Sequence, residues 1–260
     1  ADQIEFLARN GWEVHLVTSP TEGFSQLAKD LSWASGVRLH AVQMTRNPSV
    51  LDDLKSLAQW LRILRNLRPS IVVASTPKAG LLGITTASAL RTKARVYHVR
   101  GVRAEGLSGL ARWTSLRAER AACRLATHVI CNSESVRNAL VHFHTVQPSK
   151  VRVLGAGSSN GVATDHFTPP TPAERRRARR YFGIAEDSIV VGFAGRLTSE
   201  KGIAELVLAM KAVVAVRPNA CLLVAGAPDA ATDQLKWEAA LALEPWIVRA
   251  GFVNDMRTFY

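Results

Sequence analysis

Cysteine is scarce in this 260-residue chain, and what there is excludes two architectures. Cys123, Cys131 and Cys221 are odd in number and share no metal-ligand spacing, so neither a disulfide framework nor a cysteine-held metal is expected. No apolar run reaches the length of a membrane span. The opening A-D-Q-I-E-F-L-A-R-N does not follow the signal-peptide pattern. Together these give the expectation of reduced, buried thiols in a cytoplasmic protein. The chain also lacks a Walker lysine motif, a zincin pair and a nucleophile elbow. His142 and His144 have no third ligand nearby, so no metal site is expected there. Acid is short as well: 21 Asp and Glu stand against 33 Lys and Arg, a net charge of +12. That excess favours an anionic partner, which could be nucleic acid, a phosphorylated substrate or an acidic membrane surface.

What is present is a repeating alternation of short apolar strands and amphipathic helices. After an opening helix, strands are expected at 13–18, 37–43, 71–75, 95–99, 127–131 and 151–154. Helices are expected between them at 51–67, 78–90, 109–126 and 134–143, the first with Leu54, Leu57, Leu61 and Leu64 as its buried stripe. Such a rhythm predicts an α/β fold, a mostly parallel sheet covered by helices on both sides. At 168–177 the composition shifts to T-P-P-T-P and then arginines, which places a domain boundary there: 1–167 and 168–260. The rhythm then restarts with a helix to 182, a strand at 188–194, a helix at 202–216, a strand at 220–225, a helix at 229–243 and a strand at 247–252. Three strands make a thin sheet, so the second domain reads as incomplete.

The most informative stretch is S-I-V-V-G-F-A-G-R-L-T-S-E-K-G, residues 188–202. Its apolar, β-branched start predicts a strand buried on both faces, with Gly195 allowing a tight turn. Arg196 and Lys201 bracket a polar loop before a helix near Gly202, whose stripe is Ile203, Leu206, Val207, Met210, Val213 and Val214. Two cations beside a helix amino terminus, at the carboxyl end of a strand, suit a phosphate-bearing ligand. The glycine-rich G-A-G-S-S-N-G at 155–161 is followed by no helical pattern, which argues against a dinucleotide fingerprint. It reads instead as a hinge facing the interdomain cleft, with Asn160 and Gly161 free to take left-handed turns.

In G-F-A-G-R-L-T-S-E-K-G, S-S-N-G-V-A-T-D-H-F, S-T-P-K-A-G-L-L-G and V-I-C-N-S-E-S-V-R the chain resembles the family-four retaining glycosyltransferases. In particular it is similar to bacterial enzymes that extend lipid-linked surface polysaccharides. The resemblance implies a GT-B architecture, two Rossmann-like domains facing each other across a cleft. It implies a nucleotide-sugar donor (a UDP-sugar) held mainly by the second domain, with Arg196 and Lys201 on the diphosphate and Gly195, Gly202, Asn160 and Gly161 around it. It implies a hexosyl transfer with retention to a lipid-linked or saccharide acceptor, with side-chain cations in the place of a metal. The expected location is the cytoplasm, including the inner face of the plasma membrane.

Two departures stand out. Members of the family carry paired glutamates, spaced eight apart, late in the donor domain; nothing after Phe252 supplies them, and the family's first strand should precede Ala1. The chain is therefore expected to be an internal portion of a longer enzyme. A histidine usually precedes the glycine that is Gly101 here, and Arg100 stands in its place, with His98 two residues earlier. His98 either reaches the cleft or is satisfied within the sheet. Arg100 and Arg103 are candidates for an acceptor phosphate, with Glu105, Thr76 and Lys78 at the same sheet edge. On helix 109–126, Trp113, Arg117, Arg120 and Arg124 form a stripe that fits either an anionic bilayer or a solvated face. Residues 175–180 hold a second basic run. The rival assignments are a sugar-nucleotide epimerase, an inactive nucleotide-sugar-binding remnant, and a nucleic-acid binder. The last is disfavoured because the arginines are not interleaved with exposed aromatics.

Overall fold

Every strand pair described is parallel, as the alternation of strands and helices requires. The computed structural model describes residues 2–20, 24–25, 36–45, 49–158, 160–198, 201–228 and 244–260. The chain divides into two compact units, Ala1–Asn160 and Gly161–Tyr260. The proline-bearing connection at 168–172 thus lies inside the second unit.

In the first unit the order is α1 (Asp2–Arg9), β1 (Val14–Thr18), β2 (Val37–Ala41), α2 (Val50–Leu67), β3 (Ile71–Ala74), α3 (Pro77–Ala89) and β4 (Ala94–Val99). A 3₁₀ turn (Arg103–Gly106), α4 (Gly109–Leu125), β5 (His128–Cys131), α5 (Glu134–His142) and β6 (Val151–Val153) follow. The strands pair in the orders β1-β2 and β3-β4-β5-β6. Helix starts are chemically marked. Thr76 accepts from the Ala79 amide at the head of α3, with Pro77 at the first helical position, and Ser133 accepts from the Val136 amide at the head of α5.

The expected stripe on α2 holds in part: Leu64 is buried and Leu57 packs against the core, while the buried face is rotated away from the other two leucines. Leu54 (58% exposed) and Leu61 (39%) face outward, whereas Ser56, Trp60 and Leu64 are buried. Two contacts set that rotation. Ser56 Oγ donates to the Gln43 and Asp52 carbonyls, and the Trp60 ring lies against Gly83 of α3, where an added Cβ would sit 3.4 Å from the ring. Leucine spacing does not report either contact.

Tyr97 anchors the central sheet from β4. Its ring fills the space beside Gly80 of α3; a Cβ there would come within 2.3 Å of it. The Tyr97 hydroxyl lies beside the buried carboxyl of Glu119 on α4, whose Oε1 has no hydrogen-bond partner. Burial raises the pKa of Glu119, because the charged form would lose its hydration. Cys123 and Cys131, also buried here, are free thiols whose pKa values burial pushes up to about 12 and about 11. Cys221 is free and half-buried, its pKa likewise raised by burial.

The second unit runs α6 (Pro172–Tyr181), β7 (Ile189–Ala194), α7 (Ile203–Val216), β8 (Ala220–Ala225), β9 (Ile247–Gly251) and α8 (Met256–Phe259), with sheet order β7-β8-β9. The helix expected at 229–243 lies outside the described residues. Thr171 and Glu174 close a reciprocal capping box on α6. On β8, Ala220, Leu222 and Val224 face α7 with Ile203 and Met210, while Leu223 and Ala225 face the other layer with Ile184 and Phe259. β8, not β7, is the strand buried on both faces. β7 pairs on one side only among the described residues, and its Ile189 is exposed. Val213, expected on the buried stripe of α7, is turned out.

The raised pKa of Glu119 fixes the sign of a pH effect. On raising the pH, the unfolded chain releases this proton near its ordinary value of about 4.3, before the folded chain does. The stability associated with the neutral buried carboxyl is therefore complete at low pH and is lost as the pH rises. Glu119→Gln should gain in melting temperature relative to the parent between pH 4 and pH 8. A difference that stays constant over that range would mean the carboxyl is ionised in the fold.

Candidate functional site

The loops that leave the carboxyl ends of β7, β8 and β9 are hydrogen-bonded into one layer. The Gly195 amide donates to the Ala225 carbonyl (3.0 Å), Leu197 to Ala227 (3.1 Å) and Gly226 to Gly251 (2.7 Å). Gly226 has φ +136, and a Cβ at that position would lie 1.8 Å from the Gly195 carbonyl oxygen. Only glycine fits such an approach of two main chains. Leu197 is buried beneath the loop, packed with Ile203 and Met210. Arg196, between the bonded Gly195 and the buried Leu197, is exposed, as is Lys201.

The Lys201 amide donates to the Thr198 carbonyl, and Gly202, in the left-handed conformation, forms the amino-terminal boundary of α7. Leu206 closes the first helical hydrogen bond to Gly202, leaving the amides of the first turn directed out of the helix end. Thr198 Oγ1 is buried without a hydrogen-bond partner. Neither Thr198 nor Gly226 was singled out from the sequence. The glycine directly after a buried apolar strand, A-G-A-P at 225–228, was the available signal for the second.

In the first unit, neighbouring strand exits carry the remaining candidates. Thr76 caps α3, and Lys78 pairs with Asp53 Oδ1 (2.6 Å) and donates to the Thr45 carbonyl (2.8 Å) and Oγ1 (2.9 Å). Lys78 therefore ties the segment after β2 to α2 and α3. His98 is half-buried within β4, opposite Ile130 on β5; burial and then the nearby Arg100 charge lower its pKa, so it is held neutral. Arg100, Arg103 and Glu105 are exposed, alternating with the buried Val102 and Ala104 that fasten the 3₁₀ turn to the core.

Asn132, just past β5, links the exits on either side. Its amide donates to the Val99 carbonyl (3.3 Å), and its own carbonyl accepts from the Ser158 amide (2.5 Å). Gly157 packs against that carbonyl, where a Cβ would come within 2.5 Å. Among the described residues of the glycine-rich stretch the left-handed ones are Gly155, Gly157 and Ser158; Asn160 and Gly161, free to take such turns, do not. The close backbone contact at Asn132, invisible in sequence, bears on Gly157 and Ser158.

The two basic helices divide their arginines. On α4, Arg120 Nε donates to the His144 carbonyl (3.0 Å) at the end of α5, whereas Arg117 lies over the Trp113 ring (4.8 Å). On α6, Arg179 donates to the Ala185 (2.6 Å) and Ser188 (3.0 Å) carbonyls. Arg175 and Arg177 line a cavity of about 870 Å³ beside Phe182, Val190, Phe259 and Tyr260, which shares no residue with the strand-exit loops. No cluster of His, Cys, Asp and Glu suited to a metal occurs among the described residues, and none of their helices is long and apolar enough to cross a membrane.

The glycosyl transferase 4-like domain family matches residues 1–157. The chain belongs to that family. Over 260 residues it is 31% identical to the capsular polysaccharide biosynthesis glycosyltransferase CapM of Staphylococcus aureus, covering 99% of this chain and 66% of that protein. It is 21% identical over 263 residues to the UDP-Gal:alpha-D-GlcNAc-diphosphoundecaprenol alpha-1,3-galactosyltransferase of Escherichia coli, covering 98% and 64%. Among solved structures, Anabaena Alr3699/HepE in complex with UDP-glucose aligns with a TM-score of 0.76 at 21% identity, covering 99% of this chain and 66% of that one. The chain thus spans about two thirds of the length of these relatives. The structural likeness establishes the GT-B fold, with a Rossmann-like arrangement in each unit.

For a family-four glycosyltransferase, the chemistry available in the second unit is electrostatic. Arg196 presents a planar fork of donors and Lys201 a point charge, both on the connection from β7 to α7, a helix whose first amides favour an anion by about 0.3–1 kcal/mol. Their loop depends on the glycine contact beneath it. Gly226→Ala should cost the second unit at least about 2 kcal/mol, whereas Gly161→Ala, with open space around the site, should stay within about 0.5 kcal/mol. Denaturant melts of both variants check this; equal stability would mean the loops separate freely.

Proposed function

We propose that the protein is a glycosyltransferase that moves a hexosyl group from a UDP-sugar to a lipid-linked or saccharide acceptor, with retention, in surface polysaccharide biosynthesis. The observation that carries the donor assignment is the loop after β7, whose bonded and buried flanks hold Arg196 and the Lys201 turn at a helix amino terminus. As the bond between sugar and phosphate breaks, negative charge gathers on the departing diphosphate. Cations already in place stabilise that charge without reorganising. In this scheme Arg196 and Lys201 take the place of a metal, and Gly195 and Gly202 let the backbone approach the phosphates. Asn160 and Gly161 remain assigned to the donor side.

The acceptor is assigned to the exposed Arg100 and Arg103, with Glu105, His98 and Thr76 at adjoining strand exits. Lys78 acts there by holding the segment after β2 in place. The relatives' names support the substrate classes: capsular polysaccharide for one, a UDP-sugar and a diphosphoundecaprenol acceptor for another. Such an acceptor places the enzyme at the cytoplasmic face of the membrane.

Calorimetric titration with uridine and guanosine diphosphates, against a short oligonucleotide, tests the donor side. Uridine diphosphate should bind. Arg196→Ala and Lys201→Ala should each weaken that binding by about 10- to 150-fold, the equivalent of a charge-assisted hydrogen bond of roughly 1.5–3 kcal/mol. Unchanged affinity in both variants would remove the assignment. Tight, salt-dependent oligonucleotide binding without nucleotide binding would point instead to a nucleic-acid protein. Nucleotide binding without turnover in the presence of acceptor would identify an inactive remnant.

A further inference from the structure

The start of α4 combines exposed apolar residues with a local excess of arginine. Residues 108–114 are all exposed, so this end of the helix stands clear of the core that holds its later turns. Leu110 (75% exposed) and Trp113 (54%) are three residues apart and therefore share a face. Helix starts ordinarily favour acidic residues, yet the first turn of α4 has none, and neither Asp nor Glu occurs from 106 to 118. The first acid on the helix, Glu119, is buried against Tyr97.

Around the apolar pair the charge is positive. Arg117 stacks on the Trp113 ring at 4.8 Å, and Arg112 stands over the Phe143 ring at 5.1 Å; both side chains are exposed. A guanidinium stacked on a ring keeps its N–H edge available for a phosphate oxygen. The 3₁₀ turn packed against α4 adds the exposed Arg103, three residues past Arg100. Arg120, which the sequence placed on the same stripe, is bound to the carbonyls at the end of α5 and takes no part.

We propose that this tip is a membrane anchor: Leu110 and Trp113 enter the interface of an anionic phospholipid bilayer while Arg112 and Arg117 meet the headgroup phosphates. Tryptophan belongs at that depth, where its ring is apolar and its N–H is wet. A leucine at the apex contributes nothing to stacking on nucleobases, and a protein groove would not require so arginine-rich a surround, in which Glu105 on the 3₁₀ turn is an exposed acid. Insertion would set Arg100 and Arg103 at headgroup level, where a lipid-linked acceptor carries its phosphates. That last consequence rests on the proposed glycosyl transfer; the anchor itself does not.

Co-sedimentation with phosphatidylcholine vesicles, with and without phosphatidylglycerol, tests the anchor in about 0.1 M salt, where exposed charges act over roughly 10 Å. The parent should bind the anionic vesicles preferentially. Leu110→Ala combined with Trp113→Ala should lower the partition coefficient about tenfold or more. Arg112→Glu combined with Arg117→Glu should abolish the preference for phosphatidylglycerol, and Arg124→Glu, further along the helix, should change it less than about twofold. Uridine diphosphate affinity, measured on the same proteins, should be unchanged throughout, so a failed anchor and a failed donor site are read separately. Parent-like binding by the Leu110/Trp113 variant, equal binding to both vesicle types, or no vesicle binding would overturn the anchor. So would oligonucleotide binding that the same substitutions abolish.

Discussion

Gly226 meets Gly195 main chain to main chain, and the geometry of the donor-side loop follows from that contact. Parallel strands end at one edge with their connections free to diverge. Here the hydrogen bonding of the sheet continues past the strands, from Gly195 to Ala225 and from Leu197 to Ala227, because no side chain separates the two loops. The burial of Leu197 then forces Arg196 outward, and the turn from Thr198 to Lys201 leads into α7. Such support from below is what allows a flexible cation to act from a fixed base.

The net positive charge divides largely by exposure. Lys78, Arg95, Arg120 and Arg179 each donate to main-chain carbonyls, tying strands to helices or closing helix ends. Arg257 pairs with Glu174 across α6 and α8. These cations work as internal fasteners. Arg100, Arg103, Arg112, Arg117, Arg196 and Lys201 are exposed, and in each unit they gather at strand exits or at the helix tip beside them. The chemistry proposed for each unit therefore draws on a minority of its basic residues.

Much of the fold could be read from the alternation of apolar runs, since nearly every expected strand and helix is found close to its expected limits. The helix caps at Ser133 and Thr76 follow the same local logic. The errors share one cause. Which face of α2 is buried depends on Trp60 meeting Gly83, and the bend at Gly157 and Ser158 meets the carbonyl of Asn132, in each case a partner distant in the chain. β7 departs from the expected two-sided burial for a related reason: composition shows that a strand is apolar without showing whether it has neighbours on both sides.

The sequence by itself determined the α/β class and the family, and put forward Arg196 and Lys201 as candidates, because periodicity, glycine placement and short motifs are local properties of the chain. Tertiary structure alone decided that Gly226 locks their loop, that Lys78 and Arg120 are structural fasteners, and that Leu110 and Trp113 stand in solvent. Those outcomes depend on which atoms distant segments bring together, and a charge or a ring looks the same in sequence whether it is buried against a carbonyl or left in water.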